Sequence, residues 1–435
     1  MRVRIRLFLA IGLLPGLGAA QARMAPLARY LMPVAAEVAL ARSAAPASVS
    51  LDARVLVLAP AGYVEAAHGG NGFTCLVKRS WAMPAANPDF WDAALRSPIC
   101  FNPAATASVL PQLLFRTERA LAGDSAAAIR RALVAARARH ALPPPAPGAM
   151  CFMMSKQAHL RGRDPLWHPH LMFFAPAAAA PLWGANRAGS PLGADAYPES
   201  GLTFLVEPVA TWSDGTRDGA PAPNPPDPAA PGWAPYPAMA PLDRYLQPSA
   251  ADEAALARSA APPSISAGAR VLVLGRGGYT QAARGGNGFV CVVERGWGAA
   301  TNDPEFWNPH IRAPICFNAA AAATVLPLYL MKTKSVLAGQ SQSAIAATIA
   351  ALRRARTLPR PAPWAMGYML SKRQYVHDGA GSWHPHLMFF LPGRVDAAWG
   401  ANLDRSPVLA GDDADAGLTT MMVLASAWSD GSPAR

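Results

Sequence analysis

Trp167-His168-Pro169-His170-Leu171-Met172-Phe173-Phe174 occurs twice in this chain, returning letter for letter as Trp383 to Phe390. The copies lie 216 positions apart (383 less 167), and the same offset carries much of the chain onto itself. Cys75 and Cys100 fall on Cys291 and Cys316, and Gly69 to Phe73 on Gly285 to Phe289. Each copy opens with Met-Ala-Pro-Leu and closes with Trp-Ser-Asp-Gly, at Trp212 to Gly215 and Trp428 to Gly431. Repeats of about 20–50 residues signal a solenoid, whereas a period of this size signals a duplicated whole domain. A chain of 435 residues also suits about two domains.

The repeat divides the chain into a signal peptide (1–22), a first repeat domain (23–216), a linker (217–238) and a second repeat domain (239–435). The linker is rich in proline and alanine, contains Pro225-Pro226, and reads as a semi-rigid extended spacer. Arg2, Arg4 and Arg6 form a basic n-region, Leu7 to Gly18 a short apolar core, and Ala20-Gln21-Ala22 a small-x-small cleavage site. An uncleaved N-terminal anchor is the alternative. No later apolar run reaches the roughly 18 residues of a membrane span. The expected location is the periplasm or the extracellular medium.

Cleavage would remove three arginines and lower the formal charge from +12 to +9. The remaining basic residues are scattered without interleaved aromatics, so nucleic acid is not an expected partner. An envelope component or a small ligand fits an exported chain better.

Within each copy the pattern predicts helix, two strands, two helices and three strands. Ser249-x-x-Asp252 caps a helix running through Glu253 to Arg258, and Ala-Ala-Pro ends it. Arg54 to Leu58 reads as a strand. Gly69-Gly70-Asn71-Gly72-Phe73 reads as a tight hairpin turn into a strand over Thr74 to Ser80, because Asn and Gly tolerate positive φ. An irregular segment follows, ending at Pro98-Ile99-Cys100-Phe101-Asn102. Of the next two helices, the second starts at Ser125 or Ser341 and sets Ile129, Leu133 and Ala136, or Ile345, Ile349 and Leu352, on one face. Strands are then expected over Met150 to Ser155, His170 to Phe174 and Leu202 to Thr211. The fold class is α+β: two homologous domains, each a small antiparallel or mixed sheet with helices packed on one face.

The even, identically spaced cysteines predict two disulfides, Cys75–Cys100 and Cys291–Cys316, each tying a central strand to the loop before the helices. A nucleophilic or metal-binding cysteine is the alternative. Cys151, with Gly367 as its counterpart, reads as a buried free thiol.

The repeated Trp-His-Pro-His run stands out because elsewhere the copies have diverged. Over Asp124 to Leu142 only 6 of 19 positions match, against 8 of 8 over Trp167 to Phe174. On a strand His168 and His170, or His384 and His386, would project from one face. Two readings remain open. In one, these histidines serve packing or bind a ligand without metal. In the other, they are half of a zinc or copper site in a metal-dependent hydrolase. Copy two offers Asp378 and His377 as a further ligand, but copy one has Gly162 and Arg161 there, with His159 and Asp164 out of register. Lys156 and Lys372, each after a serine, are further ligand-binding candidates. A Ser155-Lys156 nucleophile dyad conflicts with neighbours on a strand pointing to opposite faces. Arg79 and Arg295 read as salt-bridge formers, with an anion site as the alternative.

The segments Gly-Gly-Asn-Gly-Phe-x-Cys, Pro-Ile-Cys-Phe-Asn and Ser-Lys…Trp-His-Pro-His-Leu-Met-Phe-Phe resemble those of uncharacterised exported bacterial proteins that carry one such domain. The resemblance covers most of both copies and assigns no catalytic residue. Together these readings favour a non-enzymatic binding or structural module of the cell envelope.

Overall fold

The computed structural model describes residues 23–159, 168–177, 179–218, 236–378 and 383–434. The signal segment, most of the linker, Trp167 and Asp164 lie outside them. In the first domain the chain runs α1 (Val34–Arg42), α2 (Ala47–Ser50), β1 (Arg54–Ala59), β2 (Gly62–Ala67), β3 (Thr74–Lys78) and β4 (Ser97–Phe101). It continues through α3 (Pro103–Ser108), α4 (Leu110–Leu121), α5 (Ala126–Ala138), β5 (Met150–Met153), β6 (His170–Pro176), β7 (Gly193–Tyr197) and β8 (Leu202–Pro208). The second domain repeats this order with α6 (Ala250–Arg258), α7 (Pro263–Ser266), β9 (Arg270–Gly275), β10 (Gly278–Ala283), β11 (Val290–Glu294) and β12 (Ala313–Phe317). There follow α8 (Ala319–Thr324), α9 (Leu326–Leu337), α10 (Gln342–Arg354), β13 (Met366–Met369), β14 (His386–Pro392), β15 (Val408–Asp413) and β16 (Leu418–Leu424).

Among the described residues the strands form two eight-stranded mixed sheets of identical topology, β2-β1-β3-β4-β5-β6-β8-β7 and its counterpart. The chain is a pair of homologous α+β domains. No helix among the described residues is long and apolar enough to cross a membrane.

Several local expectations hold. Ser249 accepts the Asp252 N–H at 3.1 Å at the start of α6, and Ser125 accepts the Ala128 N–H at 3.2 Å at the start of α5. Ile129, Leu133 and Ala136 are buried, as are Ile345 and Ile349, while Leu352 is half-buried. The helical stretch before α5 is split into α3 and α4 around Val109, and β2, β4 and β7 are additional strands, β4 lying where an irregular segment is expected.

The glycine-rich segment is not a hairpin turn. β2 pairs with β1, and β3 lies parallel to β1 on its other side, so Gly69 to Phe73 crosses over the end of β1. A Cβ on Gly69 would sit 2.2 Å from the Asp52 carbonyl oxygen, which makes close backbone approach the requirement there. Asn71 holds the crossover through its own side chain, donating to the Val49 carbonyl at 2.7 Å and accepting the Phe73 N–H at 3.0 Å.

Both disulfides form, with a different role from the one expected. Cys100 stands on β4, directly opposite Cys75 on β3, with 4.0 Å between the Cα atoms; Cys291 and Cys316 repeat the arrangement. The bonds therefore clamp two adjacent strands rather than a strand to a loop. Cys151 is a buried free thiol whose pKa burial pushes up to about 12, so it stays protonated.

Strand alternation gives each sheet two apolar faces. On β6, Leu171 and Phe173 join the inner core, while Met172 and Phe174 join the outer one; β14 divides Leu387 and Phe389 from Phe390 in the same way. The inner faces of the two sheets, with α1, α2, α6 and α7, pack on each other as one core. Helices α3 and α4 cover the outer face of the first sheet.

The contact between domains is reciprocal. Phe173 stacks on its own counterpart Phe389, with ring centroids 4.6 Å apart. Trp183 meets Phe389 at 5.2 Å and Trp399 meets Phe173 at 5.6 Å. Ser48 donates to the Asp404 carbonyl at 2.6 Å and Ser264 to the Ala188 carbonyl at 2.7 Å. Equivalent positions meeting across an axis is the signature of an isologous interface. Both tryptophans end a short helical turn closed by a left-handed glycine, Gly184 or Gly400. A Cβ on Gly184 would lie 2.7 Å from Ile265 of the other domain, and one on Gly400 2.8 Å from Val49.

Candidate functional site

The buried arginines are structural. Arg79 pairs with Glu37 of α1 at 2.9 Å and donates to the Tyr30 carbonyl at 2.8 Å; Arg295 pairs with Glu253 of α6 at 2.8 Å. Ser155 and Lys156 diverge. The serine hydroxyl shares a 2.6 Å hydrogen bond with Ser43, and the ammonium pairs with Asp214 of the closing Trp-Ser-Asp-Gly turn at 2.9 Å. Ser371 with Ser259, and Lys372 with Asp430, repeat the pattern. Neither lysine activates its neighbouring serine.

The His-x-His pairs do not present two imidazoles to one site. The Nδ1–H of His170 donates to the carbonyl of His168 at 2.7 Å, and that of His386 to His384 at 2.8 Å. His170 and His386 are buried, and burial lowers each pKa to about 4, so both rings are neutral. His168 is exposed, and its Nδ1 pairs with Asp218. Asp378 is engaged elsewhere, accepting from Tyr236, from Tyr375 at 3.0 Å and from Asn308 at 2.8 Å. In copy one, His159 forms a backbone bridge with Arg96. Among the described residues no three or more His, Cys, Asp or Glu side chains are grouped to hold a metal ion. The set His384, His386 and Asp378 is thus not assembled as zinc or copper ligands.

His170 instead lines a cavity of about 500 Å³ between the outer face of the first sheet and α4. That volume falls within the roughly 300–1,000 Å³ range of small-molecule sites. The floor is apolar and comes from four strands, with Ile99 and Phe101 on β4, Met153 on β5, Met172 and Phe174 on β6, and Phe204 on β8. Helix α4 supplies Gln112, Leu113 and Arg116, which its periodicity places together on the sheet-facing side. Lys78, at the end of β3, and the exposed Asp195 on β7 are among its other polar residues.

The polar groups of this cavity differ in how well they are partnered. Arg116 is satisfied: it bonds Glu199 and Ser200 at 2.8 Å each, and the Met83 carbonyl at 2.8 Å. Gln112 is 3% exposed, and both its amide oxygen and its amide nitrogen lack a hydrogen-bond partner among the described residues. A buried amide in that condition costs on the order of 1–3 kcal/mol per unmade group. The Lys78 ammonium reaches only the Met153 Sδ among the described residues, at 3.9 Å, and burial pushes its pKa down.

The second domain treats the same region differently. Leu113 is replaced by Tyr329, whose buried hydroxyl shares a 2.8 Å bond with Tyr279 and accepts the Arg295 N–H at 2.8 Å. Gln112 is replaced by the buried Leu328, Arg116 by Lys332 and Lys78 by Glu294. Lys332 bonds Asp413 at 2.9 Å and the Ala299 carbonyl at 2.8 Å. Gly298, the counterpart of Ala82, makes room: a Cβ there would lie 3.1 Å from the Glu294 carboxylate and 3.3 Å from the Tyr329 ring. Burial raises the Glu294 pKa to about 7. Leu328 thus removes the amide that the first domain leaves open at Gln112, and Tyr329 fills the space that Leu113 leaves.

Of the residues singled out from the repeated motifs, His170, Met172, Phe174, Ile99, Phe101 and Arg79 border this cavity. Lys78, Gln112 and Leu113 were missed because identity between copies was the guide. The informative signal was the opposite one, the positions where the copies disagree in charge or size. Comparison with family models, curated protein sequences and solved structures gives no match to this chain.

Proposed function

We propose that this chain is an exported binding protein of the cell envelope, built by duplication of one domain, in which the first domain takes a small ligand and the second is its scaffold. The observation that carries this reading is the 500 Å³ cavity with the unpartnered, buried amide of Gln112 in its wall. Apolar walls with a few convergent polar groups are the usual composition of a small-molecule site. Export is supported by the basic-apolar-small pattern of residues 1–22 and by two disulfides, which persist in oxidising compartments.

The test uses the neutral, environment-sensitive fluorophore N-phenyl-1-naphthylamine. One saturable site per chain is expected, with enhanced, blue-shifted emission. Leu113→Tyr, which transplants the second domain's filling residue, should abolish it while the far-ultraviolet spectrum is retained. Absence of a saturable signal, or a signal indifferent to Leu113→Tyr, would remove the cavity as the binding site. Intact mass of the periplasmic protein should begin after Ala22; a chain that retains its first residues and stays in the cytoplasmic fraction would overturn the export reading.

A further inference from the structure

Three cationic side chains border the first-domain cavity, and two are already matched. Arg79 faces Glu37 and Arg116 faces Glu199, both at salt-bridge distance and both buried. Lys78 has no such carboxylate among the described residues, although it stands on the apolar outer face of its strand beside Leu76. Lys78 is half-buried on an apolar face, where an ammonium without a counter-charge is less favourable than in water, and a bound anion would offset that cost. His170 lines the same space, and the Lys78 charge adds to the burial that keeps its imidazole neutral.

We infer that the ligand is an amphipathic monocarboxylate of the medium-chain fatty-acid type, its head group held by the Lys78 ammonium and the Gln112 amide and its chain lying on the apolar floor. The inference rests on the binding reading above. One uncompensated cation matches one negative charge. A dianionic phosphate head would leave a surplus negative charge among Ile99, Met153 and Met172. Gln112 can donate its amide N–H to a carboxylate oxygen, which answers one of its two orphaned groups. A charge-assisted contact of this kind is stronger than a neutral one. In the second domain Glu294 at the Lys78 position would repel the same head group, so one ligand per chain is expected.

Calorimetric titration of the full mature chain with decanoate, decan-1-ol and decylammonium, all below micellar concentrations, tests this. Decanoate should bind once per chain, roughly tenfold or more tighter than decanol, with decylammonium weakest. Lys78→Met should remove the advantage of decanoate over decanol, whereas Lys78→Arg should keep most of it. Leu113→Tyr should abolish both. Equal affinity for the three ligands, or decanoate binding unaffected by Lys78→Met, would overturn the head-group assignment while leaving the cavity reading intact. If the neutral fluorophore and decanol also fail to bind, the cavity reading itself falls.

Discussion

Helix α4 of the first domain covers a cavity of about 500 Å³ with Gln112 and Leu113, whereas α9 of the second sets Leu328 and Tyr329 over the same stretch of sheet. The inner faces of the two domains, by contrast, meet each other, with Phe173 stacked on its own counterpart Phe389. An isologous core constrains both copies together, because each residue packs on the other copy's equivalent. The outer faces meet helices of their own domain and are free to diverge. On the outer face the informative difference is local: Gln112 and Leu113 stand where the second domain has Leu328 and Tyr329.

The comparison can be broken at its symmetric part. Phe173→Ala and Phe389→Ala should each cost about 3–5 kcal/mol of unfolding free energy, and by nearly equal amounts, in denaturant titrations. Markedly unequal losses would show that the core does not treat the domains alike.

A second measurement concerns pH. His170 and His386 have folded pKa values near 4 against 6.5 for a free side chain. Between those values the unfolded chain binds protons that the folded chain excludes. Stability should therefore fall as pH drops through 6.5, the loss being complete below about 4. Each histidine would account for roughly 3 kcal/mol of it. His170→Asn and His386→Asn should each flatten this acid limb; an unchanged slope would mean the imidazoles titrate normally. Glu294 has the opposite sign. Its folded pKa near 7 lies above the usual 4.5, so its contribution is full below 4.5 and lost as pH rises toward 7. Glu294→Gln should remove that loss from the second domain alone.

Exchanging the outer-face residues sharpens the contrast further. Tyr329→Leu should cost about 1–3 kcal/mol, since the Arg295 N–H and the Tyr279 hydroxyl lose a partner. Leu113→Tyr, entering a cavity, should cost less than that by the same denaturant assay. The reverse ranking would argue that the first-domain space is already filled in the working protein.

The smallest expected effect lies where the inner core departs from symmetry. Glu207 is fully buried with both carboxylate oxygens unpartnered, and burial raises its pKa well above the usual value; its counterpart is Val423. Glu207→Val should stabilise the chain by about 1–2 kcal/mol near neutral pH, read as a raised denaturation midpoint. A destabilised variant would assign the carboxyl a partner or a role in the core.

Much of the architecture was legible from local patterns and from the internal repeat. The caps at Ser125 and Ser249, the apolar faces of α5 and α10 and the cysteine pairing all depend on short-range spacing. The glycine-rich crossover was misread because Asn-Gly chemistry suits both a hairpin and a close backbone approach. Only the parallel partner of β3 distinguishes them. The His-x-His pairs looked like ligands because strand alternation alone would align them. Each second histidine instead turns its Nδ1–H back to the carbonyl two residues earlier, leaving no assembled ligand set.

The sequence by itself determined that there are two copies of one α+β domain and which cysteines pair, since these follow from repetition and spacing. Tertiary structure alone decided that the copies share one core and that the Gln112 amide, on the outer face of the first, finds no partner among the described residues. The cavity draws on residues from Lys78 to Val206, brought together by a sheet whose strand order is not the chain order. Whether a buried amide or ammonium finds a partner depends on that long-range assembly, and no local pattern encodes it.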